Sequence, residues 1–360
     1  MLPAEPGARR DELVDLVRSL ATTTVVLWHW VFTILVWRYD GPHADNPIGY
    51  VSGLWSLTWV LQVMPLFFVA GGYVHARSWA RRRGHWRSFV AKRVAQLGLP
   101  ALALIAVVAG AGTAIALLHE GGDPWVTRAV VLVLSPLWFL IVYLALVITV
   151  PLWDRLDRSF GYLVPLGLTA LAMAVDVLRF GYDHPELAWF NLIFVWAAAH
   201  QVGWSWEALR AAPARFGHAL MLIGFSALVG LTNMGLYPRS MVGTTSAADR
   251  FSNMGPPTLP IIALTIFQIG LVVVYRDRLL EFAARPRMRR FVAWLSDNAM
   301  PLFLWHTVGF ALFYAVLRMV TDVPEEPSGL WWITRPLWVA GPALATVPLL
   351  ALTKRLRIAR

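Results

Sequence analysis

The feature that most constrains this chain is a succession of apolar stretches, each about as long as a bilayer core is thick. A helix rises about 1.5 Å per residue, so roughly 20 mostly apolar residues cross the hydrocarbon region. Ten such segments can be read, at roughly 14–37, 51–76, 97–118, 129–153, 160–179, 188–206, 216–237, 257–275, 292–319 and 331–352. The longest connection, 237–256, is on the order of twenty residues, and no repeat, low-complexity linker or soluble domain interrupts the series. The first segment is too long for a signal peptide, carries Arg18 and His29, and lacks a small-residue cleavage site, so it reads as a span. The expectation is an all-α integral membrane protein: one domain over 1–360, a bundle of about ten transmembrane helices, with a short N-terminal segment at 1–13 and a basic tail at 353–360.

Composition removes other classes. Only 14% of the 360 residues are charged while 58% are hydrophobic; a soluble domain carries about 25% charged residues. An ordinary cytoplasmic enzyme, a disordered chain and a nucleic-acid-binding domain are excluded. The formal net charge of +10 has a source in the positive-inside rule rather than in an acidic partner. With no cysteine, disulfides, thiolate metal sites and a cysteine nucleophile are ruled out.

Charge also orients the bundle. With the N-terminus in the cytoplasm and each span reversing direction, 24 of the 31 lysines and arginines fall on the cytoplasmic side. They include Arg9, Arg10, Arg77, Arg83, Lys92, Arg93, Arg355, Arg357 and Arg360. The outer side keeps Arg38, Arg128, Arg179, Arg239, Arg250, Arg318 and Arg335. Both termini are therefore expected inside. Two lysines among the 31 basic residues, with abundant Ala and Arg, suggest the codon usage of a GC-rich bacterium and hence its cytoplasmic (inner) membrane.

Ionisable side chains inside apolar segments are costly and mark function by default. In the first segment, DLVRSLATTTVVLWHWVF, Arg18 and His29 are eleven residues apart. At about 100° per residue they share a face, separated by roughly 16 Å along the axis. Arg18 then lies near the cytoplasmic surface and His29 near mid-bilayer. Each has a structural alternative: Arg18 snorkelling to headgroups or pairing with Asp15, His29 as a buried hydrogen-bonded histidine. Gly71 and Gly72, followed by Tyr73, allow either close helix packing or close ligand approach. The basic stretch 81–93 either holds phosphates or anchors the cytoplasmic face. His306 sits at a depth like that of His29, so the two could face each other across one cavity or be separate packing groups. His200 and Gln201 are packing or cavity-lining groups. The prolines of SNMGPPTLP (252–260) mark a pocket rim or a helix start, and Trp138 lies where an aromatic belt is expected. Phosphate loops, carboxylate pairs and metal-ligand clusters are missing, so neither a metal nor a resident cofactor is expected.

These segments, taken in order, resemble the acyltransferase-3 family of integral-membrane acyl-group transferases. Arg18 followed by ten residues and His29 is similar to that family's first-span signature. PLFFVAGGYV (65–74), FVAKRVAQLGLP (89–100), LWFLIVYL (137–144) and MPLFLWH (300–306) resemble its later motifs. Two departures stand out: Gly71 where a serine is common, and Gln96 where a second arginine often follows Arg93. The resemblance implies transfer of an acyl group, most often acetyl, from acyl-CoA to a hydroxyl of a sugar, surface glycan, lipid or secondary metabolite. It also implies His29 as catalytic base and Arg18 as the group that helps place the donor. Arg77, Lys92 and Arg93 would draw in the phosphates of coenzyme A, and Gly71, Gly72, Tyr73, Trp138 and His306 would line the cavity. The alternative on the residues alone is a proton-coupled transporter or exporter.

Overall fold

Helix α1 (Glu12–Val31) begins at Asp11, whose Oδ1 accepts the otherwise orphaned backbone N–H groups of Leu13 and Val14 at 3.0 and 3.1 Å. The computed structural model describes residues 11–82, 84–118, 124–243 and 252–358; Arg9, Arg10, Arg83, Arg250, Arg360 and most of the N-terminal segment expected at 1–13 lie outside them. So do the side chains of Arg355 and Arg357. After α1, strands β1 (Ile34–Arg38) and β2 (Gly41–Asp45) form an antiparallel hairpin with Ile34 opposite Asp45 and Arg38 opposite Gly41. The turn of α2 (Thr58–Leu61) breaks at Gln62 before α3 (Met64–Ala80). The chain continues through α4 (Trp86–Leu118), α5 (Pro124–Leu134), α6 (Leu137–Ile148), α7 (Val150–Phe160), α8 (Leu163–Gly181), α9 (Asn191–Val202) and α10 (Trp206–Ala211). It ends with α11 (Ala214–Asn233), α12 (Leu259–Val274), α13 (Arg276–Ala284), α14 (Pro286–Val320), α15 (Gly329–Ile333) and α16 (Leu337–Ile358).

Each of the ten apolar segments contains a helix or helix pair, but the first, expected over 14–37, is helical only to Val31 and ends in strand β1, and not every one is a full crossing by length and composition. Among the described residues six helical stretches qualify, and two bent pairs, α5 with α6 (45°) and α12 with α13 (66°), raise the number to eight. The two segments that fall short are α1 and α9. Helix α1 carries Arg18, three threonines and His29, and α9 is only 12 residues long. The shortfall has a physical reason. Helix α9 is largely buried among other helices, and α1 buries Leu13, Leu16, Val17 and Trp30 against its neighbours, so neither needs a fully apolar surface.

The layering follows from which side chains are covered. In the Leu54–Ala80 stretch 67% of the apolar window is buried, against 17% in α4, α11 and α16. The main core joins α1, α3, α6, α8, α9 and α12, with Phe68, Trp196 and Leu264 fully enclosed. The outer helices turn Leu102, Leu166, Leu222 and Leu344 outward, which is the arrangement expected where hydrocarbon rather than water surrounds the bundle.

Small residues allow the inner helices to approach. A Cβ added at Gly72 would sit 1.8 Å from the His200 carbonyl oxygen of α9, and one at Gly203 2.0 Å from the Val69 carbonyl oxygen of α3. Here it is backbone, not a movable side chain, that a methyl would strike. At Gly71 the added atom would meet the Tyr143 ring. Gly71 and Gly72 therefore form the notch in which α3 receives α6 and α9.

The hairpin is seated on α5, where Gly41 (φ +117°) comes so close to Trp125 that a Cβ would clash with its backbone. His43 Nε2 lies 2.7 Å from Asp40 Oδ1, and Arg128 donates to His43 Nδ1 at 2.6 Å. The His43 hydrogen bond, backed by the charge of Arg128, holds the Asp40 carboxyl below its usual range.

Gly72→Ala should lower the thermal unfolding midpoint of the detergent-solubilised protein, since overpacking against backbone costs about 1–3 kcal/mol or more. Gly167→Ala, in α8 with nothing within 4 Å of the added Cβ, should leave the midpoint unchanged.

Candidate active site

The arrangement at His29 is set by two hydrogen bonds. His29, in the last turn of α1, places Nδ1 2.7 Å from Nε2 of His306 on α14, and the two rings stack at 7° with centroids 5.0 Å apart. His306 Nδ1 lies 2.7 Å from the carbonyl oxygen of Phe303. A carbonyl only accepts, so His306 Nδ1 carries a hydrogen. His306 is fully buried, and no carboxylate among the described residues is paired with it; an imidazolium there would be an uncompensated interior charge. The ring is therefore neutral, and its Nε2 accepts. The proton shared with His29 belongs to His29 Nδ1, which leaves His29 Nε2 as a bare lone pair. This tautomer follows from the hydrogen-bond chain.

His29 Nε2 belongs to a ring that opens on a chamber of about 230 Å³. The walls come from separate parts of the chain: Trp28 of α1, Thr58 and Gln62 at the broken start of α3, Trp138 and Phe139 of α6, and Phe303 of α14. Val242, Gly243 and Met254 close it from the α11–α12 connection. No charged side chain lines it among the described residues.

That connection is held in place by buried polar groups. Met241 N–H donates to Thr58 Oγ1 (2.9 Å), and Asn253 Nδ2 donates to the carbonyls of Pro238 and Ser240 (2.7 and 2.8 Å). Asp176 of α8 accepts from Asn191 Nδ2, Tyr237 Oη and the backbone N–H of Leu259 at 2.9 to 3.0 Å. Asn46 Nδ2 donates to the Gly243 carbonyl and so ties the segment after the hairpin to the same wall.

Helix α1 is fixed at both ends. Asp11 Oδ2 accepts from Trp206 Nε1 (3.1 Å) and Arg210 Nη1 (2.9 Å). At the other end Arg335 Nη1 donates to the Val31 carbonyl at 3.1 Å, and its guanidinium lies over Trp331 and Trp338, 3.8 and 4.5 Å from the ring centroids. Trp30 Nε1 donates to the His306 carbonyl at 2.9 Å, which joins α1 to α14 one residue beyond His29.

Arg18 occupies the other half of α1 and does not line the chamber. Its charge is felt at His75, Tyr143 and Arg93. Arg93 donates to Ser78 Oγ at 3.1 Å, and His75 Nδ1 lies 3.0 Å from His200 Nε2. The Arg18 guanidinium makes no hydrogen bond or ion pair with a described residue. The charges of the two guanidiniums thus act on each other, and neither forms an ion pair with a carboxylate among the described residues. His200 Nδ1 and both polar atoms of the Gln201 side chain are buried without a partner among the described residues.

The other sequence-derived candidates separate. Trp138 lines the chamber; Gly71, Gly72 and Tyr73 do not. The two glycines are filled by Tyr143 and by the α9 backbone, and Tyr73 Oη donates to Glu207 at 3.2 Å while accepting from Arg77. Arg77 is exposed and engaged with Tyr73 and Glu207, and Lys92 is half-buried on α4. His306 lies behind His29 rather than on the chamber wall. Gln62, Thr58 and Trp28 were not singled out from the sequence. The broken helix that presents Gln62 had one readable sign, Pro65 just inside the next helix.

A helical bundle with an apolar exterior and several helices long and apolar enough to cross a bilayer defines a multi-pass membrane protein. The chain belongs to the acyltransferase-3 family, whose match, described as an acyltransferase domain, spans residues 11–354 of the 360. No curated protein and no solved structure matches it.

Arg335→Leu should destabilise the protein by about 2 kcal/mol, the worth of a charge-assisted hydrogen bond to a buried carbonyl. Thermal unfolding checks this, and Arg335→Lys should recover only part of the loss, because an ammonium cannot bond the Val31 and Trp331 carbonyls together as the planar fork does through Nη1 and Nε.

Proposed function

We propose that this membrane acyltransferase moves an acyl group, acetyl in the simplest case, from acyl-CoA to a hydroxyl of an acceptor held in the chamber, with His29 Nε2 as general base. The observation that carries the reading is the bare lone pair of His29 Nε2, held by a directed hydrogen bond at the other ring nitrogen. The acceptor O–H gives its proton to Nε2 as its oxygen attacks the thioester carbonyl carbon. The tetrahedral intermediate collapses with cleavage of the C–S bond. The departing sulfur takes the proton from the His29 imidazolium, which returns the ring to neutrality. While His29 is charged, its Nδ1–H remains bonded to His306 Nε2, so the orienting bond persists through the cycle.

The donor reading rests on the pair Arg18 and Arg93. Two guanidiniums without a carboxylate suit a diphosphate, which each can engage bidentately. The separation of Arg18 from His29, roughly 16 Å along α1, is comparable to the reach of a pantetheine arm. Arg77 and Lys92 add positive potential at the same end of the bundle. Counting α1 and α9 as crossings gives ten spans with both termini cytoplasmic, in a bacterial inner membrane. The donor then arrives at the basic face, and the chamber lies toward the opposite face. Its uncharged, aromatic-rich lining suits a neutral hydroxyl compound: a sugar, surface glycan, lipid or secondary metabolite.

His29→Ala should lower transfer by about 10²–10⁴-fold in protein that still elutes as a monodisperse peak. The assay follows label from acetyl-CoA into extracts of the producing cell, with mass spectrometry for the gain of an acyl group. Near-normal transfer by that variant would remove the base assignment. Arg18→Ala should raise the donor KM by about ten- to hundredfold, the value of one charge-assisted hydrogen bond. An unchanged donor affinity in titration would remove Arg18 from donor binding.

A further inference from the structure

Acyl transfer needs more than a base. As the acceptor oxygen attacks, the thioester carbonyl becomes an oxyanion, and a fixed hydrogen-bond donor aimed at it lowers the barrier. Most donors near His29 are already committed. His306 uses Nδ1–H on the Phe303 carbonyl and its Nε2 accepts. The hydroxyls of Thr22 and Thr23 donate to the carbonyls of Arg18 and Ser19, each at 2.9 Å. Thr58 Oγ1 donates to the Trp55 carbonyl at 2.6 Å, and Trp30 Nε1 donates to the His306 carbonyl.

Gln62 is different. It lines the chamber with His29 while only 8% of its surface is exposed. Its Oε1 accepts the backbone N–H of Met64 at 3.1 Å. That bond fixes the orientation of the amide, because a backbone N–H requires an oxygen. Its backbone carbonyl accepts from Gln268 Nε2 at 2.8 Å. The side chain is thereby pinned through Oε1 and the backbone at its root through the carbonyl, and Nε2 makes no hydrogen bond with a described residue. Gln62 also sits where α2 breaks and the 17-residue α3 begins, so the partial positive charge of the α3 N-terminus adds to the same spot. The indoles of Trp28 and Trp138 line the same chamber, but neither is pinned by a hydrogen bond to the backbone of a described residue.

We propose that the side-chain amide of Gln62 is the donor that receives the oxyanion of the tetrahedral intermediate in the His29 chamber. The assignment rests on the acyl-transfer reading and adds a second catalytic residue to it. A purely structural role is the competing account, because Gln62 also caps the first turn of α3.

Gln62→Glu separates the two. It keeps an oxygen for Met64 N–H and exchanges the Nε2 donor for a second oxygen, which carries negative charge once the carboxyl is ionised. The expected result is a fall in kcat of about 10²–10³-fold, with the donor KM and the unfolding midpoint close to those of the parent protein. Gln62→Met serves as the second variant; it removes the donor without adding charge, and the same fall in kcat is expected in monodisperse protein. Retention of kcat within tenfold by either variant overturns the proposal. So does a loss of activity that only tracks a lowered unfolding midpoint in both. His29→Ala, assayed alongside, keeps the failures apart. An active His29→Ala protein overturns the underlying reaction scheme, whereas an inactive His29→Ala beside an active Gln62→Glu overturns the role of Gln62 alone.

Discussion

One proton shared between two imidazoles organises the chamber end of this molecule. The hydrogen bond between His29 and His306 runs in one direction because the Phe303 carbonyl takes the other ring hydrogen of His306. A backbone carbonyl has no proton to give and no alternative state to adopt, so the direction is written into the main chain of α14. No carboxylate is needed to orient the pair, and none of the described residues supplies one. In an interior without bulk water, a neutral orienting chain avoids the cost of a buried ion.

The fold serves to hold that bond still. Helix α1 is tied at its start by Asp11 to Trp206 and Arg210, at its end by Arg335, and across to α14 by Trp30. These ties come from segments far apart in sequence, which is why the helix needs no great hydropathy of its own. The chamber wall from the α11–α12 connection is held in the same manner, by Asp176, Asn253 and Thr58 acting on backbone groups. Polar residues that would be costly against lipid are here the fasteners of the interior.

Much of this was legible in the sequence, for reasons that differ by feature. The apolar segments were readable because span length is a local property, and the family was readable from ordered motifs. Helical periodicity gave the spacing of Arg18 and His29 along α1, but only His29 lines the chamber. The number of crossings was less readable: α1 carries Arg18, three threonines and His29, and α9 has only 12 residues, so length and composition alone count neither as a span. The glycine pair at 71 and 72 permits two readings until the occupant is known; the occupants are Tyr143 and the α9 backbone. Gln62 carried no signal, because its importance depends on a donor inventory drawn from α1, α2, α3 and α14 at once. The contact of His29 with His306 spans 277 positions, and only the assembled bundle brings them to bonding distance.

The seam where α3 meets α9 has a corollary. With bare backbone pressed against backbone at Gly72 and Gly203, these helices have no slack through which to drift apart or slide. A chamber of this build gains room by paring individual wall residues such as Val25, Leu61 or Val242, by whittling rather than by stretching.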